Sequence, residues 1–237
     1  MHKPSHIREF SRNSTTYKSY NMIQKQVVKD LFKLIDFKPK TILDLGCGDG
    51  VVFSQIDWEF ERFVGVDLSK EMLQLHPKGE DIELLQKDFD ELDDDFLKQF
   101  DLVLSSSSLQ WSKNPKKLIE KLQNTSKSFA VALFCDGTFK NLREFFSLET
   151  FLPKSKDIVS ILHSDTYHDK KSYKLNFSDN LSLLRYIKKS GVSGGVKRTS
   201  ISKLKEFLSC RDRSYLEFEI LFIHSSKVFS KPILELS

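Results

Sequence analysis

At 237 residues the chain is long enough for one α/β domain with a decoration and short for two full domains. A hydrophobic share of 39%, with 12% aromatics and 20 Phe, supplies a packed core and argues against disorder. The net charge of +4 and pI near 8.8 fall short of the basic excess of a dedicated nucleic-acid binder, and no apolar run approaches the ~20 residues needed to cross a bilayer.

Residues 1–16 are polar and lack the apolar stretch of a secretory signal. From Tyr17 the pattern turns helical: Ile23, Val27, Leu31 and Leu34 recur at three- and four-residue steps, and Pro39 closes the segment. A helix over 17–36 is expected. Tyr17 and Gln24 stand two turns apart and share a face, so the helix is read as a lid with both residues turned to a ligand. The alternative for Tyr17 is a plain hydrophobic anchor.

Thr41–Gly50 (TILDLGCGDG) organises the rest. Ile42, Leu43 and Leu45 suit a strand buried on both faces, which breaks at Gly46-Cys47-Gly48-Asp49-Gly50 before the helical-looking segment Val51–Asp57. A strand that passes through glycines into a helix brings backbone N–H groups against a ligand, because no Cβ keeps it away. The spacing GxGxG is neither the nicotinamide fingerprint nor a P-loop. Arg62–Asp67 reads as the next buried strand, ending in an acid about 20 residues past the glycine turn, where a doubly wound fold holds a ribose. The other account of Asp67 is a cap for a helix beginning near Ser69. Asp88 follows a third strand, Ile82–Gln86. Two acids and a glycine turn at the ends of successive strands predict a nucleoside site.

Phe100–Leu104 reads as the fourth strand, leaving through Ser105–Ser108 into Leu109-Gln110-Trp111. Asn114 and Pro115 open a helix over Leu118, Ile119 and Leu122, and Phe129–Phe134 is a fully apolar fifth strand. Beyond it Gly137–Phe151 looks helical. Pro153–Phe177 is charged and shows no clear strand, so it is read as an inserted cap. Helices are expected over Leu181–Ser190 and Ile201–Leu208. A last strand, Leu216–His224, is expected near a sheet edge. Cys47, Cys135 and Cys210 show neither a CxxC pair nor a His at ligand spacing, which predicts no zinc, no disulfide framework and a reducing, cytoplasmic setting.

The motifs DLGCGDG, GVDLSKEML, QKDFDEL and FDLVLSS resemble those of class I S-adenosylmethionine-dependent methyltransferases. The resemblance implies a Rossmann-like α/β fold: a doubly wound, mostly parallel seven-stranded sheet with an antiparallel C-terminal strand, an N-terminal lid helix and a helical cap insertion. It implies one domain, divided into the lid (17–36), a cofactor-binding core (41–136), the cap (137–200) and a closing helix and strand (201–226). The cofactor is S-adenosylmethionine, leaving as S-adenosylhomocysteine, with no metal. Its expected contacts are Tyr17, Gln24, Asp44, Gly46, Cys47, Gly48, Asp67, Leu68, Met72, Asp88, Phe89 and Ser105. Met72 matches the family's apolar contact to the adenine face, although a Met at helical spacing is more often core.

Three further signals, FSRNSTTYKSYNMIQ at 10–24, LQW at 109–111 and LLRYIKKSGV at 183–192, resemble the BioC family of malonyl-acyl-carrier-protein O-methyltransferases of biotin synthesis. The chain departs from that family at Ser106, where an Asn is usual, and at Leu92-Asp93-Asp94, where a Pro is frequent. The resemblance implies methylation of the free carboxylate of malonyl-acyl carrier protein, with no nucleic-acid or membrane partner; a monomer is expected, and the sequence leaves the oligomeric state open. A carboxylate is already ionised at pH 7, so no catalytic base is assigned. Gln110 and Trp111 are expected to wall the acceptor pocket, and Arg185 to grip the carboxylate; Trp111 as core and Arg185 on a solvated face are the alternatives. Basic residues outnumber acids between 154 and 205, which suits docking of an acidic carrier as well as a plain soluble face. Competing readings are a methyltransferase of the same fold acting on another small acid or quinone precursor, an RNA methyltransferase, and a cofactor-binding assembly factor.

Overall fold

The computed structural model describes residues 22–190, 200–210 and 214–226. A helix, α1 (Met22–Phe32), buries Ile23, Val27, Val28 and Leu31 along one stripe and leads into β1 (Thr41–Leu45). The chain then alternates: β2 (Arg62–Asp67), α2 (Lys70–Leu75), β3 (Ile82–Gln86), α3 (Asp94–Leu97), β4 (Leu102–Ser106), α4 (Pro115–Thr125) and β5 (Ser128–Phe134). After β5 come α5 (Lys140–Phe146), α6 (Ser155–Val159), β6 (Tyr167–Asn176), α7 (Asn180–Ser190), α8 (Ile201–Ser209) and β7 (Tyr215–Ser226).

Seven strands form one sheet in the order β3-β2-β1-β4-β5-β7-β6. β1 through β5 pair in parallel, and β7 runs antiparallel to both β5 and β6. The doubly wound, mostly parallel architecture with an antiparallel C-terminal strand is therefore the observed one. Because β1, β2, β4 and β5 are covered on both faces, their residues are apolar in nearly unbroken runs. One core layer joins Val27, Leu31, Leu102, Phe134, Leu183, Phe207 and Phe218. On the other face Leu118, Ile119 and Leu122 of α4 close over Leu43, Val103 and Val131. The order reverses between β1, which leads outward through β2 and β3, and β4, which leads the other way. Such a reversal splays the loops at the carboxyl ends of the strands and leaves a crevice.

Two expectations need correction. Pro153–Phe177 is not a strandless cap: Tyr167–Asn176 is a ten-residue strand paired along β7, from Tyr167 opposite His224 to Asn176 opposite Tyr215. It is an edge strand whose two faces are only half-buried and exposed in turn, so it carries charge where a central strand carries Val and Ile. Its lysines are held by their neighbours. The Lys171 and Lys174 ammoniums lie over the Phe222 and Tyr215 rings at 5.2 and 3.9 Å, and Lys170 pairs with Glu219 at 3.1 Å. The closing strand consequently lies one place in from the edge. The second correction is at Val51–Asp57, which forms turns and one 3-10 turn, Phe53–Gln55, instead of an α-helix. Phe53 packs edge-on against Phe63 of β2 and Phe60, which draws the chain back onto the sheet after a single turn.

Candidate functional site

The crevice at the β1/β4 switch is a cleft of about 270 Å³. Its floor is the glycine turn. Gly46 and Gly48 adopt φ of 76° and 55°, and a Cβ on Gly46 would lie 2.4 Å from the Ser108 side chain. The turn is tied down by its own backbone: the Gly46 and Cys47 N–H groups donate to the Val66 carbonyl at 2.7 and 3.1 Å. Cys47 lines the cleft, and its thiol fits only because β2 has Gly65 beside it, where a Cβ would approach Sγ to 2.8 Å. Burial pushes that thiol well above the ordinary cysteine range.

Asp67 ends β2 and accepts the Gly48 N–H at 3.0 Å on one oxygen and the Ser69 N–H at 2.7 Å on the other. A carboxylate has about four lone-pair directions, so each oxygen keeps capacity for a ligand hydroxyl. Burial raises its pKa, opposed by those backbone N–H groups. Ser69, not Asp67, is the residue that caps α2, its hydroxyl accepting from the Met72 N–H. Leu68 and Met72 line the cleft beside Gly48.

The far wall comes from the loop after β3. Asp88 accepts the Asp90 N–H on one oxygen and pairs with Lys113 at 2.9 Å through the other. Phe89 lines the cleft next to it. A second clasp joins the same two loops, because Asp90 accepts the Ser112 hydroxyl at 2.6 Å and the Lys113 N–H at 2.8 Å. Asp90 and Lys113 were not anticipated. Their only signal is an acid two places after Asp88 and a Lys just after LQWS, and neither spacing says that the two loops meet.

Gln24 and Val28 of α1 supply the roof, and Ser106, Ser107, Ser108 and Trp111 the side below β4. Trp111 stacks on Phe151, with ring centroids 4.8 Å apart and planes 26° from parallel. The structure thus brings Gln24, Gly46, Cys47, Gly48, Asp67, Leu68, Met72, Asp88, Phe89 and Trp111 to one cleft.

Four expected residues are placed elsewhere. Asp44 is wholly buried in β1 below the turn, both of its oxygens lacking a partner; burial, then the charge of Asp67, pushes its pKa up to about 8. Ser105 is buried and donates to the Leu45 carbonyl at 2.8 Å, stitching β4 to β1; its three successors are the serines in the cleft. Gln110 lies behind the wall, donating to the Ser107 carbonyl at 2.7 Å. Arg185 is exposed on α7, whose Leu183 and Tyr186 face the core, and it does not reach the cleft. Tyr17 lies outside the described residues.

A glycine floor, an acid at the end of β2 and another after β3 line one crevice. Residues 43–133 match the family model described as a methyltransferase domain. Over these residues the chain is similar to that family. The chain resembles the class I methyltransferases, and among curated proteins those named malonyl-acyl-carrier-protein O-methyltransferase. That of Halalkalibacterium halodurans is 27% identical over 159 residues, covering 60% of this chain and 59% of that protein. That of Haemophilus influenzae is 27% identical over 208 residues, covering 80% of this chain and 78% of that protein. In four such relatives the match spans only 54–59% of their length. Among solved structures the YcgJ protein of Bacillus subtilis superposes with a TM-score of 0.58 at 14% identity, covering 84% of this chain and 97% of that one. This last likeness concerns the fold. Among the described residues, no helix is long and apolar enough to cross a membrane.

Proposed function

We propose that this chain transfers the methyl group of S-adenosylmethionine to the free carboxylate of a malonyl thioester on an acyl carrier protein. The observation that carries the reading is the span of the likeness. The Haemophilus influenzae relative matches 80% of the chain, well beyond the domain match of 43–133 and thus into segments that do not build the cofactor wall.

The cleft suits the cofactor. Gly46 and Gly48 leave room where a Cβ would intrude, Asp67 retains lone pairs for two ribose hydroxyls, and Asp88 with Phe89 offers a polar edge and an apolar face for adenine. Met72 closes the opposite side. When bound, S-adenosylmethionine supplies an electrophilic methyl on a positively charged sulfur. The residues of this chain hold and shield. Gln24 and Val28 on α1 roof the cleft, Trp111 screens its acceptor side, and the Asp90–Lys113 clasp keeps the loops after β3 and β4 together. Proton removal is not required, since the acceptor arrives ionised. The rate then rests on alignment to about 3 Å and on exclusion of water, for which a closed, rigid wall is the main requirement.

The test is mass spectrometry of the purified protein incubated with S-adenosylmethionine and malonyl-acyl carrier protein. One added methyl on the malonyl group, removable by an ester hydrolase, is the expected result. Cofactor binding by calorimetry without methyl transfer would retain the cofactor assignment and discard this acceptor in favour of free small acids.

A further inference from the structure

The end of β4 and the loop that leaves it hold four consecutive serines, Ser105–Ser108, in two different states. Ser105 and Ser108 are bonded, donating to the Leu45 and Gly46 carbonyls at 2.8 and 2.9 Å. The Ser106 and Ser107 hydroxyl oxygens are buried without a partner, and both residues line the cleft. A buried hydroxyl with nothing to bond is unfavourable unless a ligand completes it.

The backbone around these two hydroxyls is held in an unusual state. Ser107 has φ of 60°, in the left-handed region that a residue with a Cβ seldom occupies. It is pinned from both sides: its N–H donates to the Ala132 carbonyl at 2.7 Å, and its own carbonyl accepts the Gln110 amide at 2.7 Å. The backbone that carries the Ser107 hydroxyl is therefore set by the fold before any ligand arrives, while the unbonded hydroxyl hydrogen is free to turn to an acceptor.

Charge narrows the choice of ligand atom. Among the described residues lining the cleft, Lys113 is the one cation, and it is paired with Asp88 at 2.9 Å on the β3 side. Arg185 is exposed on α7. An anionic acceptor that enters beside β4 meets hydroxyl donors there and, among the described residues lining the cleft, no guanidinium.

We infer that Ser106 and Ser107 bind the acceptor, donating their hydroxyls to its carboxylate, and that Gln110 is the positioning residue that fixes Ser107. The inference rests on the carboxylate acceptor proposed above. Its chemical sense lies in the strength of the grip. A bidentate guanidinium draws electron density from both carboxylate oxygens through charge-assisted bonds. Neutral hydroxyls orient the anion while leaving it more nucleophilic.

The experiment is equilibrium binding of malonyl-acyl carrier protein, measured calorimetrically in the presence of S-adenosylhomocysteine so that no turnover occurs. Ser106→Ala and Ser107→Gly are the probes; the glycine suits the positive φ and removes the hydroxyl together with its Cβ. Each should weaken carrier binding about tenfold while S-adenosylhomocysteine affinity stays within about twofold. Gln110→Ala should lower carrier affinity similarly and add nothing further when combined with Ser107→Gly, a non-additivity that a merely structural role would not show. Serine variants that bind the carrier like the parent overturn the inference, as does a loss confined to Arg185→Met or a loss of cofactor affinity in its place. A parent protein that binds no malonyl-acyl carrier protein overturns the acceptor reading itself, and this inference with it.

Discussion

The two sides of the cleft are made of different material. On the side of β1, β2 and β3 the wall is largely backbone: glycine carbons, N–H groups donated to Val66 and Asp67, and one short turn under Met72. On the side of β4 and β5 the wall is side chain, assembled from α1, the serine loop, Trp111 and the distant Phe151. A backbone wall has little freedom, because a Cβ at Gly46 would have to displace Ser108 and one at Gly48 would sit on a left-handed backbone. A side-chain wall can be re-cut residue by residue with the sheet unchanged. The same cofactor crevice can therefore serve different acceptors, and the cofactor side should be the less tolerant of substitution.

The sharpest break of that contrast is Gly46→Ala. The new Cβ would sit 2.4 Å from Ser108 on a backbone with φ of 76°. Overpacking and left-handed strain together cost about 4 kcal/mol, and cofactor affinity should fall more than ~100-fold. Denaturant unfolding and calorimetry check both. A stable variant that binds the cofactor normally would mean the floor is softer than the backbone wall described here.

Next in size is a pH effect at Asp44, beneath that floor. Burial, reinforced by Asp67, pushes its pKa up to about 8 from 3.8. Folded protein therefore keeps a proton on Asp44 that the unfolded chain has lost above pH 4. Its contribution is full below about pH 4 and is lost as pH rises to about 8, at ~1.4 kcal/mol per pH unit, or a little under ~4 kcal/mol from pH 5 to 8. Asp44→Asn should flatten the profile of unfolding free energy over that window. Parallel profiles for parent and variant would show that Asp44 is ionised in the folded state.

Asp67→Asn probes the junction of floor and ligand. The amide can accept through one atom only, so either the Gly48 or the Ser69 N–H loses its partner and a ligand hydroxyl loses an acceptor. Cofactor binding should weaken by about 2 kcal/mol, some thirtyfold, in a titration at fixed pH. Equal affinity would remove Asp67 from the site.

The same contrast explains what was legible. The glycine turn, Asp67 and Asp88 could be placed because each sits at a fixed point of a strand–loop unit, where backbone geometry dictates the residue type. Gln110 and Trp111 were legible as neighbours of the cleft, but not which of them faces it. Arg185 was chosen for its chemistry alone, and helical phase put it outward, with Leu183 and Tyr186 inward. The Asp90–Lys113 clasp joins residues 23 apart through a contact that periodicity does not encode. β6 was hidden for a different reason. None of its own side chains is buried and its lysines lie over rings of β7, so its pattern reads as charge and not as strand.

The smallest effect tests whether that hidden strand bears on the cleft at all. The Tyr173 hydroxyl of β6 donates at 2.9 Å to Asp30 of α1, the helix that also carries Gln24 and Val28 of the roof. Burial alone would raise the Asp30 pKa, but hydrogen bonds from Lys33, Gln26 and Tyr173 outweigh it and hold the carboxyl at about 2. Asp30 therefore contributes stability that is present above about pH 4 and lost as pH falls to about 2. Tyr173→Phe removes one of the three donors and should cost about 1 kcal/mol near pH 7. The cost should shrink as pH falls toward about 2, where protonation of Asp30 in the folded state weakens the bond in the parent as well. Cofactor affinity should fall no more than about twofold, because the roof is also anchored by Ile23, Val27 and Leu31 in the core. A large drop in cofactor affinity would make β6 part of the roof's support, and the division between a rigid cofactor side and an adaptable acceptor side would have to be redrawn through α1.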